Sequence, residues 1–122
     1  MNPIPARILT HTVTFKVCSA VDTWNAPTYT ETKVHHVHVQ PSNATLLSRD
    51  NTERRMSCIC FVDAVRSTRF DIDMGKMNSE DNGHPMLMAF NGHEYEVVKV
   101  DTLYDDTGRF HHYEVYCGER GI

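Results

Sequence analysis

Three histidines lie within four positions in KVHHVHVQPS, residues 33–42. Neutral imidazole is a common ligand for transition metals, so their spacing raises the possibility of a metal site. In an extended strand, side chains alternate between the two faces, and His36 and His38 would therefore share one face. His35 would point to the other face together with Val37. An H-x-H pair of this kind can chelate one metal ion.

A third ligand would have to come from the last part of the chain, where His111 and His112 are adjacent. The candidate metal ligands are therefore His36, His38 and His112, with His111 as the alternative to His112. No feature of the sequence places the last two near His36. The favoured interpretation is that these histidines are outer side chains of a half-exposed strand, with no metal ion and no cofactor.

The next residues that could do chemistry are the four cysteines, Cys18, Cys58, Cys60 and Cys117. A zinc ribbon or a redox pair would show C-x-x-C, whereas this chain has only C-x-C. The sequence also lacks a G-x-S-x-G nucleophile motif and a glycine-rich phosphate loop. The cysteines are predicted to be small buried hydrophobic residues, and no catalytic residue or enzymatic activity is expected.

One polar segment, residues 43–56, has no sustained alternation and carries three arginines in an otherwise acidic chain. Loops of about this length are usually functional or disordered. Its arginines are either a solvated face or contacts for phosphates or for a partner's carboxylates. A short helix through Leu46-Leu47 is an alternative local structure. The candidate functional residues of this loop are Leu46, Leu47, Ser48, Arg49, Asp50, Asn51, Thr52, Glu53, Arg54 and Arg55.

The segments on either side of this loop have a period of two, which is typical of half-buried strands. We predict strands over residues 11–17, 28–39 and 57–65, and a further one over 70–74. The C-terminal third predicts strands at residues 86–90, 95–104 and 110–117. Asn91-Gly92 favours a type I′ hairpin turn between the first two of these, and Gly108 suits a turn before the last.

These elements predict an all-β fold: a small antiparallel β-barrel of six to seven strands with one long inserted loop at about residues 43–56. The 122 residues are expected to form a single domain, with residues 1–7 as a flexible N-terminal arm. A formal charge of −4 argues against a general nucleic-acid binder. No signal peptide or apolar segment of membrane-spanning length is recognised, so synthesis in the cytoplasm and no membrane partner are expected.

The chain also resembles a known family. The residues that carry the resemblance are FNGHEYEVVKVD at 90–101, YD at 104–105 and HYEV at 112–115. The VQP that ends a strand at 39–41 and the CFVDA at 60–64, after the polar loop, add to it. Together they resemble the minor capsid proteins of tailed phages and prophages, of the head–tail connector type known as stoppers.

The resemblance implies a structural virion component at the head–tail joint, made in a bacterial host. Such subunits form a ring under the portal and adaptor, offer a docking surface to the tail and help to retain the packaged DNA that passes through the channel. The loop after the second strand projects into that channel in stopper proteins, and by its order along the chain it corresponds to residues 43–56. A tail-completion protein of similar fold is the alternative, and a small histidine-metal enzyme is a more distant one.

Overall fold

Strands account for most of the structure, as the period of two predicts. The computed structural model describes residues 5–47, 53–64, 67 and 85–119. In this part of the chain a single 3-10 turn, Ala6–Ile8, precedes eight strands, and there is no α-helix. The strands are β1 (His11–Val21), β2 (Pro27–Pro41), β3 (Thr45–Leu47), β4 (Glu53–Arg55), β5 (Cys58–Asp63), β6 (Leu87–Phe90), β7 (His93–Tyr104) and β8 (Phe110–Glu119).

Six of these strands form one closed antiparallel sheet in the order β1-β2-β5-β8-β7-β6. The ring of hydrogen bonds closes where β6 returns to β1, with Thr14 opposite Ala89 and Lys16 opposite Leu87. Each strand of the ring therefore has a neighbour on both sides over at least part of its length, which reduces the edges that could pair with other chains. The all-β prediction is therefore confirmed, and β3 and β4 form a separate two-stranded sheet.

The inner face of the ring is filled by alternate side chains from all six strands. Phe15, Met88 and Val115 are among its fully buried members. The cluster of buried core residues is Val13, Phe15, Val34, Val37, Val39, Cys58, Cys60, Val62, Met86, Met88, Val97, Val100, Val115 and Cys117. Because one side chain in two points inwards, alternate residues of the six strands build a continuous apolar core.

Two predicted turns are formed as their residues require. Asn91 and Gly92 have φ values of 53° and 79°, which are the left-handed dihedrals of a type I′ turn between β6 and β7. Gly108, with φ of 84°, occupies the turn between β7 and β8. In the same turn the Asp105 carboxylate accepts hydrogen bonds from the backbone N–H groups of Thr107 at 2.9 Å and Arg109 at 3.0 Å.

The long loop predicted between the second and third strands has regular structure at both ends. Residues 45–47 pair with residues 53–55 as β3 and β4, so Leu46 and Leu47 are in a strand and the alternative of a short helix is wrong. The strand predicted over residues 70–74 and the residues 1–4 of the predicted N-terminal arm lie outside the described residues.

All four cysteines are buried free thiols, which confirms their predicted role as small hydrophobic residues. Cys58, Cys60 and Cys117 lie in the core of the barrel. No helix in the described part of the chain has the length and apolar character to span a membrane.

Candidate functional site

Among the described residues, the hairpin formed by β3 and β4 is an addition to the barrel, and backbone hydrogen bonds fix its stem. Met56 N–H donates to the carbonyl of Ala44 at 2.7 Å, and Ser57 N–H donates to the carbonyl of Cys117 on β8 at 2.8 Å. Met56 itself is buried, with 1% of its surface exposed. The hairpin therefore leaves the barrel at the end where β2 finishes, β5 starts and β8 finishes.

Arg54 fastens the hairpin to the barrel wall. Its Nη1 donates to Glu96 Oε1 on β7 at 2.8 Å, and its Nη2 donates to the carbonyl oxygen of Glu119. The guanidinium lies against Gly118, where an added Cβ would stand 3.3 Å from Nε of Arg54. Glycine at this position therefore lets the arginine approach the backbone of β8 closely. Leu46, which pairs with Arg54, is half-buried beside it.

Glu119 extends this network on the barrel side. Its carboxylate lies 3.1 Å from His93 Nε2 and accepts a hydrogen bond from Ser57 Oγ at 3.2 Å. The hydrogen bond with His93, and secondarily the one from Ser57, lowers the pKa of the Glu119 carboxyl below its ordinary value. Side chains from β7 and β8, together with Ser57 just before β5, therefore meet next to the arginine that holds the hairpin.

The other described positions of the hairpin face away from the barrel. Glu53 and Arg55 are exposed, on the face opposite Leu46 and Arg54. One of the predicted loop arginines is thus committed to an internal ion pair, and Arg55 is directed to solvent. The other predicted loop residues, Ser48, Arg49, Asp50, Asn51 and Thr52, lie outside the described residues, as does the side chain of Leu47.

A β-bulge disrupts the alternation on which the metal-site hypothesis depends. His36 has φ of 61°, and the register between β1 and β2 shifts at this point. Val34 and Val37 are consequently both buried, while His35 and His36 are both exposed. The prediction that His35 shares a face with Val37 is wrong, because the extra residue reverses the parity of the strand. Ser67 Oγ stabilises the bulge by donating to the carbonyl of His36 at 2.6 Å.

His38 lies in a row of rings on neighbouring strands. Its ring centroid is 5.7 Å from that of His11 and 5.9 Å from that of Phe61. The Phe61 ring is in turn 6.0 Å from His112, and His112 Nδ1 lies 2.7 Å from Nδ1 of His111. A phenyl ring therefore lies between the second and third predicted metal ligands, and it has no donor atom for a metal.

The structure does not bring His36, His38 and His112 together as one ligand set. His36 is on the bulge and exposed, whereas the other two contact Phe61 from different strands. Within residues 5–47, 53–64, 67 and 85–119, no group of three or more His, Cys, Asp or Glu side chains is arranged to hold a metal ion. The contacts along this row are ring packing and the hydrogen bond between His111 and His112.

Sequence reasoning identified the hairpin segment but missed the residues that receive it. Arg54 and Glu96 are 42 positions apart, and Glu96 belongs to a strand with an ordinary alternating pattern. Gly118 carries the one available signal, since a glycine inside a strand often marks the close approach of another group. The bulge at His36 has no comparable marker, because histidine is an ordinary residue for a strand.

A family profile described as minor capsid protein matches residues 5–117, nearly the whole chain. No curated protein matches the sequence. The matched region includes five complete strands of the barrel, most of β8, and the hairpin with Arg54 and its partner Glu96, whereas Gly118 and Glu119 lie just beyond it.

Proposed function

The chain belongs to the minor capsid protein family and is a structural component of a phage virion, and we propose that it acts at the head–tail joint as a stopper-type connector subunit. In this role copies of the chain form a ring under the portal and adaptor, dock the tail and help to retain the packaged DNA. The observation that carries the proposal is the hairpin between β2 and β5, which extends from an otherwise closed barrel.

The barrel suits a rigid subunit of a ring. Each of its six strands has a hydrogen-bonded neighbour on both sides over at least part of its length, which gives the subunit a continuous closed wall. A ring requires two different surfaces on each subunit, which meet head to tail and close after a fixed number of copies. The ring's other partners would be the portal or adaptor above it and the tail proteins below it.

The charge distribution suits a channel that lets DNA pass. The formal charge of −4 repels phosphate from the body of the subunit. On the hairpin, Arg55 is exposed and available to a phosphate oxygen or to a carboxylate of a neighbouring protein. An exposed cation such as Arg55, on a segment outside the barrel of an acidic subunit, can contribute to holding a DNA end at rest without gripping the whole duplex. In this proposal the functional segment is residues 46–55.

The test is a phage in which residues 45–55 are replaced by Gly-Ser-Gly-Ser, so that Ala44 and Met56 remain to close the stem. We expect the purified variant to keep the β-sheet circular dichroism spectrum and a cooperative unfolding transition. Electron microscopy of the phage should show heads that have lost DNA or have not joined tails. Normal tailed, DNA-filled virions from a variant that still folds would contradict the role of the hairpin.

A phage with an early stop codon in the gene separates the two sides of the joint. Emptied or leaking heads beside separate, finished tails place the protein at the head, as proposed. Filled heads beside tails with an unfinished upper end instead favour a tail-completion protein. Normal tailed virions would refute a structural role at either side.

A further inference from the structure

Two core cysteines face each other across neighbouring strands. Cys58 is the first residue of β5, and its partner in the ladder with β8 is Cys117. Both side chains belong to the core cluster, with 5% and 0% of their surface exposed, and both are free thiols. Cys60, two residues further along β5, is opposite Val115 and has no sulfur across from it.

The distance between such positions is close to that of a disulfide. Directly opposed residues of antiparallel strands have Cβ atoms about 4.5–5.5 Å apart. A disulfide needs a Cβ separation of roughly 3.5–4.5 Å. The two strands would therefore have to approach by about 1 Å at this pair, which the end of a ladder can accommodate more readily than its centre. Cys58 lies at such an end.

The two thiols also differ in acidity. A hydrogen bond between them lowers the pKa of Cys58 and raises that of Cys117, so Cys58 is the first to lose its proton. Burial raises the pKa of Cys60 far above its ordinary value, so that thiol stays protonated and does not start the reaction. Cys117 Sγ is 3.8 Å from Sδ of Met88, so the pair is part of a sulfur-rich region of the core.

Access from solvent also favours Cys58 as the first thiol to be oxidised. Cys58 lies next to Ser57, where the hairpin stem joins the barrel, and is slightly exposed, whereas Cys60 and Cys117 are completely enclosed. A small oxidant that enters beside the stem would therefore meet Cys58 first, and Cys117, its partner in the ladder, is in position to react with it.

We propose that Cys58 and Cys117 are a redox-responsive pair that closes into an intrachain disulfide when the protein meets a peroxide. In the first step the Cys58 thiolate attacks one peroxide oxygen and the O–O bond breaks; the hydroxide that leaves takes up the proton that Cys58 had lost, so a sulfenic acid and one water form. In the second, Cys117 attacks the Cys58 sulfur, the S–S bond forms and the S–O bond breaks; the hydroxide that leaves takes up the Cys117 proton as a second water. Two thiols and one hydrogen peroxide thus give one disulfide and two waters.

The disulfide would tie β5 to β8 immediately beside the hairpin stem. It would also enclose β6, β7 and the chain between them in one covalent loop, which restricts the unfolded chain. The barrel is therefore expected to be more stable when oxidised. This inference concerns the barrel alone and does not depend on the proposed place of the protein in the virion.

The test uses the full chain, purified in reducing buffer and then treated with hydrogen peroxide near neutral pH. We expect the intact mass to fall by two hydrogen atoms, and proteolysis without reduction to yield one peptide pair that joins Cys58 to Cys117. The Tm should rise by about 5 °C or more and return to its initial value with dithiothreitol.

Matched variants identify the pair. Cys60→Ser and Cys18→Ser keep both partners and should form the same cross-link, whereas Cys117→Ser should stop at a sulfenic acid on Cys58 that a dimedone probe labels. The proposal is overturned if, after the folded chain has been treated with peroxide and the peroxide removed, both thiols are still alkylated once the chain is denatured. It is also overturned if the cross-link forms only in denaturant or joins other cysteines.

Discussion

At the scale of single residues, Arg54 shows how position changes the meaning of a side chain. In the sequence it is one of three arginines in a polar loop, and each is equally available to a phosphate. In the structure it bonds to Glu96 and to the backbone of Glu119, with 26% of its side chain exposed. It therefore holds the hairpin to the barrel, and Arg55 is its exposed neighbour.

The first prediction compares these two arginines. Arg54→Ala should lower the free energy of unfolding by about 1–2 kcal/mol, because it removes a half-buried charged hydrogen bond and leaves Glu96 without that partner. Arg55→Ala, on the opposite face, should change it by less than about 0.5 kcal/mol. Equilibrium unfolding in urea measures both. Equal effects would contradict the anchoring role of Arg54.

The second prediction concerns Asp105. Hydrogen bonds from Thr107 and from the backbone N–H of Arg109 lower the pKa of its carboxyl from 3.8 to about 2. A carboxyl whose pKa is lower in the folded state stabilises that state above its unfolded pKa, and the contribution is lost as the pH falls through the folded value. Asp105→Asn should therefore reduce the Tm at pH 7, and the difference from wild type should shrink between about pH 4 and pH 2.

Thermal unfolding at a series of pH values measures this difference. Glu53→Gln is the matched control, since it removes the same charge from an exposed strand position. If the gap between wild type and Asp105→Asn were constant down to pH 2, the carboxylate would not be the stabilising group in this turn.

At the scale of elements, the bulge in β2 changes which side chains of that strand face the core. The inward positions of the strand are Val34 before the bulge and Val37 and Val39 after it, so one inserted residue separates two regular runs. His36 takes the left-handed conformation that this insertion requires. A non-glycine residue pays for that conformation with roughly 1–3 kcal/mol of strain.

The third prediction follows from this strain. His36→Gly should leave the free energy of unfolding unchanged or raise it by up to about 1 kcal/mol, because glycine adopts positive φ readily. His36→Val should lower it by at least about 1 kcal/mol, because a β-branched residue is poorly tolerated there. Urea unfolding of both variants measures these changes in the free energy of unfolding. A more stable valine variant would show that the bulge is not retained.

At the scale of the whole molecule, the hydrogen-bonded ladders that form the ring of strands differ in length. β5 and β8 are joined over six residue pairs, whereas β6 and β1 are joined over three. The closure of the barrel therefore depends on its shortest ladder. Met88 and Phe15, which face each other in that ladder, are both fully buried, so core packing supports the few hydrogen bonds there.

The fourth prediction is that the barrel opens first between β6 and β1. Amide hydrogens in the β6–β1 ladder should exchange with deuterium at least about tenfold faster than those between β5 and β8, because a shorter ladder opens at a lower free-energy cost. Hydrogen exchange followed by NMR measures this directly. Uniform exchange across the ring would mean that the barrel opens only by global unfolding.

The strand pattern and the turns could be predicted from the sequence because both are local. An alternating run such as residues 11–17 specifies a strand face by itself, and Asn91-Gly92 specifies a turn through its own allowed dihedrals. The contact of Arg54 with Glu96 could not be predicted in this way. It depends on which strands become neighbours when the sheet closes, and local patterns do not encode that order.

The sequence by itself therefore determined the all-β class, the hairpin turns, the burial of the cysteines and the membership of a phage structural family. Only the tertiary structure decided the bulge at His36, the separation of the histidines and the facing of Cys58 and Cys117. The physical reason is the distance along the chain over which each feature is determined. Side-chain alternation and turn dihedrals are settled within a few residues, whereas register, parity after a bulge and cross-strand pairing are settled by the packing of the closed barrel.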